Sequence, residues 1–272
     1  MGQGFISKYI LRDIAGFIRK RKGTTDEIKP VDMAAELESI PTFEDGIEQG
    51  KQAEYDRFWD AFQQGGNRTS YANAFQYEWW NDISFKPKYD LICKGSTSSM
   101  FDRFGGAQHL MPSTVSYNLI ELLKNSGVIL STGGATTMNN MFYYSCISHI
   151  PVIDATGVST TIIGCFAGNT RLKVIEKFIL KSDGSQNFSS VFHNCHLLTD
   201  LIIEGVIGQN GLDLQWSTKL SKASIESIVG CLSTTTSGLS VTLSKTAVNN
   251  AFTTEEWTAL EQTRPNWTIS LV

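Results

Sequence analysis

The spacing of a few side chains in the second half of this 272-residue chain limits its fold more than any other feature. From Phe166, steps of three residues reach Asn169, Leu172 and Ile175; from Phe192 the same steps reach Cys195, Leu198 and Leu201. An earlier unit starting at Phe142 fits with one residue missing, and Ile228 with Cys231 begins a degenerate fourth, so the unit starts lie 24, 26 and 36 residues apart. A unit of this length cannot bury its apolar side alone and must stack on the next one. Short β-branched runs follow the units, at Val152-Ile153, Phe178-Ile179-Leu180, Leu201-Ile202-Ile203 and Leu239 to Leu243, and these suit parallel strands.

Units of about 20–29 residues, with Leu or Ile at fixed positions and Asn or Cys at one of them, are the signature of leucine-rich repeats. In that arrangement Asn169 and Cys195 face inward to bond backbone groups, while Phe142, Phe166, Leu172, Ile175, Phe192, Leu198 and Leu201 stack into a core. The expected class is α+β: N-terminal helices, then a short leucine-rich-repeat-type solenoid, then a helix-and-strand C-terminal cap. A helix after Ser221 buries Ile225, Ile228, Val229 and Leu232, Thr253 to Glu256 offers a capping box, and Trp267 to Val272 alternates as a last strand after Pro265.

The first half reads differently. Ile10, Ile14, Phe17 and Ile18 share a helical face that ends at Gly23, and Val31, Ala34, Ala35 and Leu37 continue as a short second helix that stops at Ile40-Pro41. Tyr55, Phe58, Trp59 and Phe62 form an aromatic stripe on a third helix, which suits core packing or self-association. From Gly65 to about Met111 the pattern is irregular, and a helix from about Ser116 to Asn125 stops at Gly127. The expected organisation is a helical module at 1–42, an amphipathic helix and connector at 43–85, the repeats with their N-terminal cap at 86–243, and a C-terminal cap at 244–272. The N-terminal helices are the expected place for homo-oligomer contacts.

Bulk properties narrow the function classes. A net charge of −4 gives no whole-molecule field for nucleic acid, and Arg19 to Lys22 complement the end of the first helix. No run approaches the roughly 20 apolar residues of a membrane span, and no classical signal peptide is evident, so membrane insertion is not expected. The five cysteines lack a C-x-x-C pair and read as reduced, packed thiols.

The segment Met141 to Asp154, with Met-Phe, Cys146, Ile150-Pro151 and Asp154, resembles the BspA-like leucine-rich repeats of bacterial surface proteins. Arg21 to Pro30 with Met33-Ala34-Ala35, and Glu256-Trp257 to Thr268, resemble sequences of phage and prophage tail-associated proteins of gut Firmicutes. The resemblance implies a phage-tail virion or bacterial cell-surface location and a non-enzymatic structural or adhesion role, host recognition among its forms. A bacterial surface or cytosolic protein-interaction module is the alternative, and a glycan-cleaving enzyme the third.

No nucleophile, base and orienter stand in a recognisable motif, and no catalytic residue, cofactor or metal is assigned. His193, Cys195 and His196 lie close in sequence, but the repeat already accounts for the cysteine. A protein or surface glycan ligand is the expected partner. Trp79, Trp80, Tyr143 and Tyr144 are the candidate binding residues, because exposed aromatic rings give large contact area; packing at the junction of helices and repeats is the competing role.

Overall fold

The computed structural model describes Ala15, Tyr71, Ala74, Phe75 and residues 87–105, 116–159 and 161–272. The chain divides into two compact units, Met1–Gln64 and Gly65–Val272. The three expected N-terminal helices and the oligomer contacts assigned to them fall outside the described residues, apart from the helical, buried Ala15. Trp79 and Trp80 also fall outside them.

In the second unit the strands are β1 (Leu91–Ile92), β2 (Tyr117–Asn118), β3 (Leu130–Ser131), β4 (Ile147–Ile150), β5 (Ile153–Asp154), β6 (Val174–Ile179), β7 (Asp200–Glu204), β8 (Asp213–Leu214), β9 (Leu239–Leu243) and β10 (Trp267–Leu271). The helices are α1 (Leu119–Ser126), α2 (Lys222–Cys231), α3 (Lys245–Ala251) and α4 (Thr254–Gln262). Every strand pairing among the described residues is parallel, in sheets ordered β1-β3, β10-β9-β8 and β2-β4-β6-β5, with β7 also on β6.

This arrangement corrects the expected fold class. The fold is α/β, with helices interposed between parallel strands, and not an α+β chain of N-terminal helices, leucine-rich-repeat solenoid and cap. Parallel partners need crossover connections, and α1, α2, α3 and α4 lie within them. A uniform repeat array would place one strand per unit in one continuous sheet. Here the strands divide among three sheets, β5 and β7 both pair β6, and the β6–β7 register shifts between Ile175 and Phe178. Ile228 and Cys231, read as the start of a fourth unit, lie in α2.

What the regular spacing does build is a column of phenylalanine rings. Phe75, Phe101, Phe142, Phe166 and Phe192 are fully buried and stack in that order, with centroids 5.1, 5.1, 5.5 and 5.3 Å apart and ring planes within 22°. Each ring sits in a tight turn, and backbone bonds tie successive turns. Phe75 N–H donates to the Met100 carbonyl at 2.8 Å, Phe101 to Met141 at 2.7 Å, Phe142 to Cys165 at 2.7 Å and Phe166 to Val191 at 3.0 Å. Phe178 from β6 meets the edges of the Phe166 and Phe192 rings. Leu172, Ile175, Leu198 and Leu201 complete the same fully buried layer. Burying aromatic side chains against one another supplies both area and ring–ring attraction.

The polar members of the spacing bond between turns. Asn169 donates from Nδ2 to Ser145 Oγ at 2.9 Å, and the Cys195 thiol to the Phe166 carbonyl at 3.1 Å. Both side chains are fully buried, so each takes up a polar group that the turns would otherwise leave unsatisfied.

Helix α2 closes the free side of β7 through its side chains. Leu201 N–H donates to Ser224 Oγ at 2.9 Å and Ile203 N–H to Ser227 Oγ at 2.8 Å, while Ser227 donates back to the Ile203 carbonyl at 3.0 Å. Serines three apart on one helical face thus replace the backbone of a further strand. Replacing Ser224 and Ser227 together by Ala strands two strand amides, and we expect a loss of about 2–5 kcal/mol by urea denaturation. A loss below about 0.5 kcal/mol would show that water satisfies the edge without them.

The end of the chain locks onto the same helix. Arg264 donates from Nε to the Leu232 carbonyl at 2.9 Å and from Nη2 to the Gly230 carbonyl at 2.6 Å, taking up acceptors at the C-terminus of α2. The buried Trp267 indole donates to the Ser233 carbonyl at 2.9 Å. Thr253 and Glu256 form a reciprocal capping box on α4.

Candidate binding surface

The turns of Phe101, Phe142, Phe166 and Phe192 hold two left-handed residues each. Ser99, Asn140, Gly164 and Ser190 have φ between 55° and 57°; four residues on, Arg103, Tyr144, Gly168 and Asn194 have φ between 49° and 71°. Such angles are costly for a bulky side chain, so the inter-turn bonds must hold Arg103 and Tyr144 in place. Arg103 N–H donates to the Tyr143 carbonyl at 2.8 Å, Tyr144 to Ala167 at 2.9 Å and Gly168 to His193 at 2.7 Å. These bonds set the turns in register. Asp102, Tyr143, Ala167 and His193 form one row, and Arg103, Tyr144, Gly168 and Asn194 the next.

Tyr143 and Tyr144 are half-buried and meet edge to face at 4.5 Å, with the Arg103 guanidinium 5.8 Å from the Tyr143 ring. Arg103 also pairs with the buried carboxylate of Asp102 at 3.0 Å. Burial, foremost, pushes the Tyr143 phenol above its ordinary range, and the neighbouring Tyr144 adds to it. In these two rows the next turn carries almost no bulk: Ala167 is small, and a Cβ on Gly168 would stand 2.6 Å from the Tyr144 ring. Glycine is required there twice, for its φ of 71° and for the ring lying over it.

Beyond that low step the face rises again. Ser217 donates to the Cys195 carbonyl at 3.2 Å, which brings Trp216 beside the His193 turn. Trp216 is 39% exposed. Its ring meets the exposed imidazoles of His193 and His196 edge to face at 6.1 and 5.5 Å.

Of the residues singled out from the sequence, Tyr143 and Tyr144 therefore lie together at the surface, whereas Phe142, Phe166, Asn169, Leu172, Ile175, Phe192, Cys195, Leu198 and Leu201 are interior. Trp216 was not singled out, since it stands alone in a polar stretch with no periodic partner. The nearby pair His193 and His196 is the feature of the sequence that points to this surface. Among the described residues no group of three His, Cys, Asp or Glu side chains is placed to hold a metal ion. Cys93, Cys146, Cys165 and Cys195 are buried free thiols; burial pushes the Cys93 and Cys195 thiols up to about 12, and a protonated thiol is a poor nucleophile and metal ligand.

No family model matches this chain, and neither the curated proteins nor the solved structures give a match to it. Among the described residues no helix is long and apolar enough to cross a membrane.

Proposed function

We propose that the chain is a non-enzymatic binding protein of a phage tail, a prophage-derived particle or a bacterial surface, with adhesion or host recognition as its role. The observation that carries the binding role is the exposed Trp216, held edge-on by two imidazoles on the face that also bears Tyr143 and Tyr144. Amphipathic rings fixed on a hydrogen-bonded scaffold lose little entropy when a ligand arrives, which is what recognition surfaces require. The tail or surface setting rests on the resemblance of the flanking segments at Arg21 to Pro30 and Glu256 to Thr268.

The test is direct binding of the fluorescently labelled full chain to a panel of whole Firmicutes cells. We expect saturable binding to some strains and none to others. Uniform absence of binding across the panel counts against adhesion and leaves an interaction module with a soluble partner. Attachment is tested separately by light scattering on the full chain and on a chain lacking residues 1–64, the first compact unit. The full chain is expected to be oligomeric and the shortened one monomeric; two monomers would remove the assembly role from the first unit.

A further inference from the structure

The geometry points to a neutral oligosaccharide as the ligand of the aromatic face, laid across the turns with one sugar on Trp216 and another on the Tyr143–Tyr144 pair. This rests on the binding role proposed above and names the class of ligand. The Ala167–Gly168 turn lies between the Tyr143 and His193 turns, so two sheet spacings, roughly 9–10 Å, separate Tyr143 from His193, and Trp216 stands on the turn beyond His193. The intervening turn is low, which leaves a short trough with an aromatic bank at each end.

Three features select a sugar. First, each bank offers an apolar ring face beside polar edges, namely phenol oxygens, imidazole nitrogens and an indole N–H, which matches a pyranose with C–H faces and equatorial hydroxyls. Second, the Arg103 guanidinium in the aligned rows is paired with the Asp102 carboxylate, so those two charges offset each other. Third, on three of the four turns the residues ahead of the rows are hydroxyls and amides: Ser98, Asn139 and Asn140 are half-buried, and Ser189 and Ser190 are exposed; on the intervening turn the aligned residue is the exposed Ile163. A protein partner would need a contiguous apolar centre in an interface of about 800 Å² on each side. Among the described residues the other exposed large apolar side chains are aliphatic: Ile163 stands alone among the residues ahead of the rows, and Ile129, Val152 and Val272 lie outside the aligned turns.

The experiment applies the full chain to an immobilised panel of neutral oligosaccharides of two to eight sugars, including glucose and N-acetylglucosamine hexamers. Binding to at least one of them is expected. Trp216→Ala should weaken it by about tenfold or more, Trp216→Phe should retain most of it, and Tyr143→Ala should weaken it by an intermediate factor. Thermal melting of each variant checks that the fold is retained, and cell binding is run beside the panel. Cell binding that survives Trp216→Ala, or that occurs with no oligosaccharide bound, overturns the sugar site and leaves adhesion standing. Cell binding lost in Trp216→Ala but destroyed by protease treatment of the cells identifies a protein partner at the same face, and equally overturns the sugar. Absence of both cell and sugar binding removes the adhesion reading with it.

Discussion

Phe166→Ala is expected to lower the unfolding free energy by about 3–5 kcal/mol, as for other large-to-small changes in a rigid core. Phe166 stands in the column between Phe142 at 5.5 Å and Phe192 at 5.3 Å, and Phe178 closes on its edge at 5.4 Å. Its removal deprives three rings of a neighbour at once. The cavity cannot collapse readily, because the backbone bonds from Phe142 to Cys165 and from Phe166 to Val191 fix the spacing of the turns. Chemical denaturation measures the loss, and Phe166→Leu should recover part of it by refilling the volume. A loss under about 1 kcal/mol would show that the column is not the centre of the core.

The second large effect is alkaline. Burial raises the Cys93 and Cys195 thiols from 9.0 to about 12, and the Cys165 thiol higher still. The folded state therefore keeps protons that the unfolded chain releases near pH 9. Stability is intact below that pH and falls as pH rises from 9 towards 12, by up to about 1.4 kcal/mol per pH unit for each thiol. Other groups ionise in the same range, so the informative quantity is a difference between variants. Cys195→Ser keeps a donor for the Phe166 carbonyl and removes one titration. With Cys93→Ala it should flatten the fall in denaturation midpoint between pH 9 and pH 11. Parallel pH profiles for the variant and the natural chain would refute the linkage.

How much of this was legible in the residues depends on how local the governing interaction is. The Thr253–Glu256 capping box, the Ser221 cap of α2 and the left-handed Gly127 after α1 are made within one helical turn, and their residue types alone point to them. The buried spacing from Phe166 and Phe192 was also visible, because two ungapped units share it. The fold class was not, since it depends on which strands pair across the whole unit. Ile225, Ile228 and Val229 suit a repeat and a helix equally as apolar positions; α2 prevails because Ser221 caps it and its serines satisfy β7.

The turn at Phe101 escaped notice for a different reason. Ser98-Ser99-Met100-Phe101 matches Asn139-Asn140-Met141-Phe142 and Ser189-Ser190-Val191-Phe192, but α1 and its flanks lengthen the interval after Phe101 to 41 residues, against 24 and 26 for the next two. A search for the turn itself, with a small or amide residue two places before Phe, would have found it. Binding residues were half legible: aromaticity singled out Tyr143 and Tyr144, while exposure, which decides for Trp216, is a property of the folded chain.

Closing β7 with serine hydroxyls also bears on crowding. A bare strand edge is a template on which neighbouring chains can polymerise whenever copies are held at high local density, as on a particle or a cell wall. Side-chain hydroxyls on a helix take up two amides and a carbonyl of that edge yet present no new backbone to continue them. Along this direction the β-structure is self-terminating, so copies can be displayed side by side without this edge seeding fibres.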